Sequence, residues 1–357
     1  MKILLALVLS LTPAPPAALQ RDADAIRALG VVGVQAQAAD GPRVTTATSG
    51  VADRTTGEPM PADGHLRIAS TRKTMTAVVA LQLVAEERLS LDDPVDRWLP
   101  DVPAGITVRH LLQNTSGLHD DHPGYTTPAE YREQRDDVHT RDELVARSLK
   151  HPLDFPPGTK FGYSNTAALL ADALVERVTG RTLPEEITDR IVRPLGLTGT
   201  TWPGASPIVP SPSARAYQHF SPTQIVDVTE QVPSDPDSII STTRDLDRFF
   251  RALLSGRLLG PAQLAEMQKT VPLDEATGHY WPGGRYGLGL VRRPLPCGGY
   301  RWGHDGGDGG FILVTGVTGD GRRSALVSMT SAMADSPDHV LAQQRAADRL
   351  VDNALCA

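Results

Sequence analysis

The sequence predicts an α+β fold: an antiparallel sheet assembled from both ends of the chain, flanked by helices, with a mostly helical region inserted between them. Three observations carry this. Residues 31–38 and 44–52 alternate loosely in polarity around Asp40-Gly41, a hairpin signal. Strand patterns return only late, at 286–291, 299–303, 310–317 and 325–329, the last two joined by the turn Thr318-Gly319-Asp320-Gly321. From Ser70 to about Thr229 the apolar spacing is mostly that of helices and loops.

In chain order, residues 21–29 read as a short helix before the hairpin. The apolar run 74–83 marks a helix that opens near Ser70. Residues 107–113 form a short helix, broken by Asn114-Thr115-Ser116-Gly117, and the polar stretch 119–137 reads as loop. Helices follow at 141–150, at 165–179 with Gly180 to close it, and at 183–192, stopped before Pro194. Residues 203–212 are a Pro/Ser-rich loop. After about Pro233 the character changes. Residues 243–254 make an amphipathic helix ending at Gly256, and 261–269 a second one with Pro261 in its first turn. Residues 337–355 form a long closing helix.

The 357 residues are 40% hydrophobic and 22% charged, as expected of a globular chain. A net charge of −7 without any basic stripe excludes a nucleic-acid binder. Met1-Lys2, the apolar run 3–11 and the small residues up to Ala18 read as a secretory signal cleaved near Ala18, which makes the mature protein extracellular. The run is too short to span a bilayer, and no other segment is long and apolar enough. The rest, 19–357, divides into an α/β part (19–72 and 233–357) and a helical part (73–232). In an exported protein the two cysteines, Cys297 and Cys356, permit one disulfide.

Ser70 and Lys73 stand three apart at a helix start, so hydroxyl and ammonium share one face. A serine needs a partner that takes its proton, and a lysine so placed can serve. Taken alone, the pair also fits a helix start with a capping Ser and a solvated Lys. Phe161-Gly162-Tyr163-Ser164-Asn165 precedes a helix, and Tyr163 and Asn165 can point into one cleft; the alternative is a surface loop with an Asn cap. Trp302-Gly303-His304-Asp305-Gly306-Gly307-Asp308-Gly309-Gly310 lets another backbone or a ligand approach closely. It is no phosphate cradle, because no helix with Lys-Ser/Thr follows. His119-Asp120-Asp121-His122 invites a metal reading, but a site needs three or four convergent ligands, and a polar loop beside the cleft is the better account.

In this order and spacing, Ser70-x-x-Lys73, Tyr163-x-Asn165 and His304-x-Gly306 resemble the serine β-lactamase/penicillin-binding-protein superfamily. The chain looks most like its secreted actinomycete D-Ala-D-Ala carboxypeptidase branch, related to class C β-lactamases and family VIII esterases. The likeness extends to Gly50-Val51-Ala52-Asp53-Arg54, Thr115-Ser116-Gly117-Leu118, Thr166, Arg193-Pro194-Leu195-Gly196-Leu197, Tyr286-Gly287-Leu288-Gly289-Leu290 and Cys297. The resemblance implies a serine acyl hydrolase or transferase that needs no cofactor and no metal. Ser70 forms an acyl-enzyme, Lys73 and Tyr163 exchange the protons, and Asn165 positions Lys73 and the substrate amide. His304 faces the site, and the backbone N–H groups of Ser70 and Gly307 make the oxyanion hole. It implies a monomer acting on a small peptide, ester or lactam. The activity expected first is that of a DD-peptidase; a β-lactamase or carboxylesterase is the alternative on the same fold, and a non-catalytic peptidoglycan- or partner-binding homologue the alternative of another class.

The third motif departs from the family pattern. Where the carboxypeptidase branch has hydroxyls and an Arg for the substrate's terminal carboxylate, this chain has Asp305, Gly307 and Val291. Arg293, two residues on and on the same strand face, either substitutes for the missing cation or pairs with Asp305. Asn114 replaces the usual His, and residues 232–240 lack the branch's Ala-Gly and aromatic wall. Asp305, Gly306 and Arg293 are therefore the expected substrate contacts on the leaving-group side. The altered side suits esters or amides without a free carboxylate, or substrates that carry a cation there.

Overall fold

The computed structural model describes residues 16–357; the apolar run 3–11 of the candidate leader lies outside them. Helix α1 (Pro16–Arg27) leads into the hairpin β1 (Gly33–Asp40) and β2 (Arg43–Gly50), whose tight turn pairs Asp40 with Arg43. The two-residue strand β3 (Leu66–Arg67) runs into a single 3-10 turn, Ala69–Thr71, and then α2 (Arg72–Ala85). Met75, Val78, Val79, Leu81 and Leu83 of α2 are all buried, so it is a core helix, apolar almost all round.

The middle of the chain supplies α3 (Val108–Leu112), α4 (Pro128–Gln134), α5 (Arg141–Ser148), α6 (Asn165–Thr179), α7 (Leu183–Ile187) and α8 (Arg193–Leu195). Thr107, Thr127, Thr140 and Thr182 each accept the N3 backbone N–H of their helix in a capping box. Helix α4 corrects the expectation of loop throughout 119–137. Its one buried side chain is Tyr131, so it has no apolar stripe to betray it, although Thr127-Pro128-Ala129-Glu130 is a helix-start pattern. The inserted region also holds a hairpin, β4 (Tyr217–Ser221) and β5 (Gln224–Asp227), that the sequence reading missed.

The last third runs β6 (Ile240–Ser241), α9 (Thr243–Leu254), α10 (Pro261–Met267), β7 (Val271–Pro272), α11 (Glu275–Tyr280), β8 (Arg285–Tyr286), β9 (Val291–Pro294), β10 (Tyr300–Gly303), β11 (Gly306–Asp308), β12 (Phe311–Thr318), β13 (Arg323–Met329), β14 (Ser331–Ala332) and α12 (Pro337–Cys356). The main sheet has the order β2-β1-β13-β12-β10-β9-β8-β7, with β11 added beside β12. Its pairings are antiparallel, and the two chain ends meet where Ala36 opposes Val327. The expected continuous strand 286–291 is instead a break between β8 and β9. A Cβ on Gly287 would lie 2.2 Å from Met267 O, and one on Gly289, where φ is +62°, 2.8 Å from Lys73 O. The backbone bends there to rest on α2.

Alternation along the strands feeds two cores. Val314, Ala325 and Val327 face α1 and α12, meeting Ala23, Ile26, Ala347 and Leu350. Leu313, Leu326 and Val317 face the other way, toward α2, α6 and α9. The disulfide Cys297–Cys356 joins the turn after β9 to the end of α12, across a Cα–Cα distance of 5.8 Å and a sequence separation of 59. Cross-linking a loop of that size restricts the unfolded chain. Reduction, or Cys356→Ser, should lower unfolding stability by about 2–4 kcal/mol in a urea titration, with a steeper slope as the unfolded chain expands.

Candidate active site

The nucleophile turn is strained. Ala69 has φ +46°, a conformation that costs a non-glycine residue about 1 kcal/mol and persists only where its surroundings impose it. Here β11 does so. A Cβ on Gly306 would lie 2.2 Å from Ile68 O, so only glycine lets the strand come this close. Thr71 Oγ1 donates to His304 O at 3.0 Å and ties the turn to the same segment. Ser70 and Gly307 consequently border one cleft.

Lys73 stands one turn beyond Ser70, in the first turn of α2, and is 8% exposed. Its Nζ donates to Ser70 Oγ at 2.9 Å and to Asn165 Oδ1 at 2.7 Å, and lies 4.9 Å from the centre of the Tyr163 ring. Asn165 opens α6, with Ser164 as its cap. Asp120 arrives from the 119–127 loop: its Oδ2 accepts from Asn165 Nδ2 at 3.0 Å, and its Oδ1 from Asn165 N at 2.9 Å. A carboxylate only accepts, so Asp120 dictates that the Asn165 amide turns its oxygen to Lys73. The charge also sits at the positive end of α6. Sequence reasoning missed Asp120. Its four-residue segment does not converge on a metal: His119 meets Asp154, Asp121 meets Arg147, and His122 lines the cleft. Among the described residues no group of three His, Cys, Asp or Glu is placed to hold one.

His304 corrects an expectation. It is fully buried and does not line the cleft. Its Nδ1 bonds Asp305 O at 2.7 Å, so that nitrogen carries the proton, and Nε2 accepts from Tyr286 Oη at 2.9 Å. Burial, with the nearby Lys73 ammonium adding to it, pushes its pKa down to about 3. A neutral His304 thus braces Tyr286, and both rings lie edgewise or tilted against Tyr163, with centres 6.3–6.4 Å away.

Of the two expectations for Arg293, the structure shows the pairing with Asp305 and corrects its use as a substrate contact. Arg293 is 4% exposed and does not reach the cleft; it donates to Asp305 Oδ1 and to Asp348 Oδ1, both at 2.8 Å. Asp305 also accepts from Trp281 Nε1 at 2.9 Å and Gln344 Nε2 at 3.1 Å. The pair binds α12 and the 275–281 segment to the sheet rather than a ligand. Gly306 acts through its closeness to Ile68.

Ser70, Tyr163, Gly307 and Ile312 form a waist between two compartments. One, of about 440 Å³, is polar and includes Lys73, His122, Asn165, Asp235 and Asp308. The other, of about 380 Å³, is walled by Tyr280, Trp281, Ile312 and Leu313, with Asp305 and Gln344 at its edge. The second is the side on which the expected leaving group falls. Trp281 and Asp308 carried no motif signal, because each is fixed by distant partners.

Residues 19–350 match the Beta-lactamase family. The chain belongs to that family. A D-stereospecific amidohydrolase from Streptomyces sp. of known structure is 38% identical over 92% of this chain and 98% of its own, with a TM-score of 0.81. The D-amino acid amidase of Ochrobactrum anthropi SV3 is 28% identical over 95% of this chain and 97% of its own, with a TM-score of 0.83. Among curated relatives, esterase EstB of Burkholderia gladioli is 34% identical over 180 residues, 44% of this chain and 43% of EstB. The chain thus spans under half of that relative. In common with its family, the chain has a serine hydrolase fold.

Three outcomes follow from the geometry. Asp120→Asn frees the Asn165 amide to turn and should lower kcat roughly ten- to a hundredfold in a steady-state assay. Gly306→Ala forces β11 away from the Ser70 turn and should slow acylation by about a hundredfold, read by rapid quench. His304 is neutral when folded but has a pKa of about 6.5 when unfolded. Its contribution is present above pH 6.5 and is lost as pH falls from there toward 3. Urea titrations at pH 7, 5.5 and 4.5 should show the stability gap between wild type and His304→Asn narrowing as the pH drops.

Proposed function

We propose that this protein is a serine amidohydrolase that cleaves D-amino acid amides and the corresponding D-aminoacyl esters through a Ser70 acyl-enzyme. The observation that carries the reading is the leaving-group compartment. No cation is among the described residues that line it, and the nearby Arg293 guanidinium is held by Asp305 and Asp348. A terminal carboxylate there meets an apolar aromatic wall and the charge of Asp305, whereas an uncharged amide or ester does not. The D configuration is taken from the similar amidohydrolase and amidase structures, both matched over more than nine-tenths of this chain.

In this reading Lys73 acts in its neutral amine form: Ser70 Oγ adds to the carbonyl carbon and its proton passes to Nζ across the 2.9 Å contact between the two groups. The negative oxygen is received by the N–H groups of Ser70 and Gly307, each such donor being worth roughly 3–4 kcal/mol. Collapse breaks the C–N or C–O bond as the proton is delivered, by way of Tyr163, to the leaving atom. Water then repeats the sequence on the ester and restores Ser70. What supports this role for Tyr163 is that it borders both compartments.

The D-Ala-D-Ala carboxypeptidase reading shares the machinery but needs a carboxylate anchor on the leaving-group side. The two separate on rates for D-phenylalanine amide, L-phenylalanine amide, a D-Ala-D-Ala peptide and its C-terminal amide. We expect the D-amide to exceed the L-amide, and the peptide amide to exceed the free acid by at least about tenfold in kcat/KM, a difference of about 1.4 kcal/mol. A strong preference for the free acid overturns the amidohydrolase reading.

A further inference from the structure

The polar compartment contains a carboxylate that acyl transfer does not use. We propose that Asp308 receives the α-ammonium group of the acyl donor, so that free aminoacyl substrates are selected over N-acylated ones. The proposal rests on the amidohydrolase reading above.

Position is the first argument. Asp308 follows Gly307 directly on β11, one Cα step of about 3.8 Å from the oxyanion donor. In an α-amino amide the amine nitrogen lies two bonds, about 2.5 Å, from the carbonyl carbon. Its receptor must therefore stand next to the oxyanion site, and Asp308 lines the compartment there.

Charge is the second. The Asp308 side chain is 13% exposed and thinly neutralised. Oδ1 accepts a long bond, 3.4 Å, from Gln231 Nε2; Oδ2 has no hydrogen-bond partner, and Arg67 Nη1 stays 4.0 Å away. Arg67 Nη1 and Nε are themselves without partners. Burial raises the Asp308 pKa, Arg67 opposes this, and Asp235 adds to it. A buried carboxylate with so few donors is costly in the free protein, and an ammonium brings three. Arg135, Asp137 and His139 also line the compartment, Arg135 pairing with Asp136; its other charged groups are committed. Arg72 is held by Asp172 and Asp235, Lys73 by Ser70 and Asn165, and burial lowers the His122 pKa and keeps that ring neutral. Tyr125 is uncharged, and the Ser234 hydroxyl acts with Arg67 to lower the Asp308 pKa.

The test compares D-phenylalanine methyl ester with N-acetyl-D-phenylalanine methyl ester between pH 6 and 9.5, in wild type and Asp308→Asn. At pH 7 the wild type should favour the free amine at least tenfold in kcat/KM. That preference should fade as pH rises past the amine's pKa of about 8. In Asp308→Asn the ratio should lie near one and be flat with pH. A wild-type ratio near one, or an unchanged ratio and profile in Asp308→Asn, overturns the proposal while leaving the amidohydrolase reading intact. Turnover of neither ester, with no Ser70 adduct by mass, overturns both. If Asp308→Asn does not fold, the wild-type ratio and its pH profile decide alone.

Discussion

Lys73 Nζ, held between Ser70 Oγ and Asn165 Oδ1, is the contact on which the other parts of the site converge. An ammonium this deeply placed is tolerable only if its donors are met, and meeting them requires three separate segments to be in register. The 3-10 turn Ala69–Thr71 and the start of α2 deliver Ser70 and Lys73 on one face. The N-terminus of α6 delivers Asn165, whose amide is oriented by Asp120 from a loop some 45 residues earlier. The bend at Gly289 lies against the Lys73 backbone and fixes α2 from behind, helped by Thr74 Oγ1 donating to Gly289 O at 2.6 Å. Asp120 and the Gly289 bend act only through their neighbours, yet each sets where the lysine stands.

Two buried ion networks then hold the walls. Arg72 ties α2 to α6 through Asp172 and to the 232–240 loop through Asp235. Arg293 and Arg301 both reach Asp348 on α12, and Arg293 continues to Asp305. Buried pairs add little to net stability, since desolvation offsets their attraction, but losing one partner costs about 3–5 kcal/mol. Their effect is positional: the compartments keep their shape because displacing a wall would strand a charge.

Much of this was legible in the sequence, for identifiable reasons. Helices 165–179 and 243–254 carry both an apolar stripe and their own caps, so their limits read off directly. The S-x-x-K spacing and the Tyr163-x-Asn165 pair are local patterns, and local patterns survive in one dimension. What escaped depended on residues far apart in the chain. Asp120 looked like part of a polar run until α6 was set against it. His304 and Arg293 read as ligand-facing groups because their motif positions were visible and their burial partners, Tyr286 and Asp348, were not. The strand break at 287–290 is imposed by contact with α2 and α10, which no alternation of side chains records. Helix α4 and the β4–β5 hairpin were hidden for a different reason, since each is short and largely solvent-facing.

The waist at Ser70 divides the molecule's inheritance as well as its cleft. The reactive set comes from the Ala69–Thr71 turn, the start of α2, Tyr163 and the start of α6, and the 119–127 loop. The apolar wall comes from α11, Trp281, β12 and Gln344 of α12, segments that supply no hydrogen bond to Lys73 or Asn165. Substitutions in the wall away from Trp281, which packs against Tyr163, can therefore accumulate without disturbing the proton path, and the reactive set can stay while the departing group changes. Such independence lets one scaffold diversify by drift on a single side, and it gives a physical reason why relatives described as an esterase and as D-specific amidohydrolases share one family.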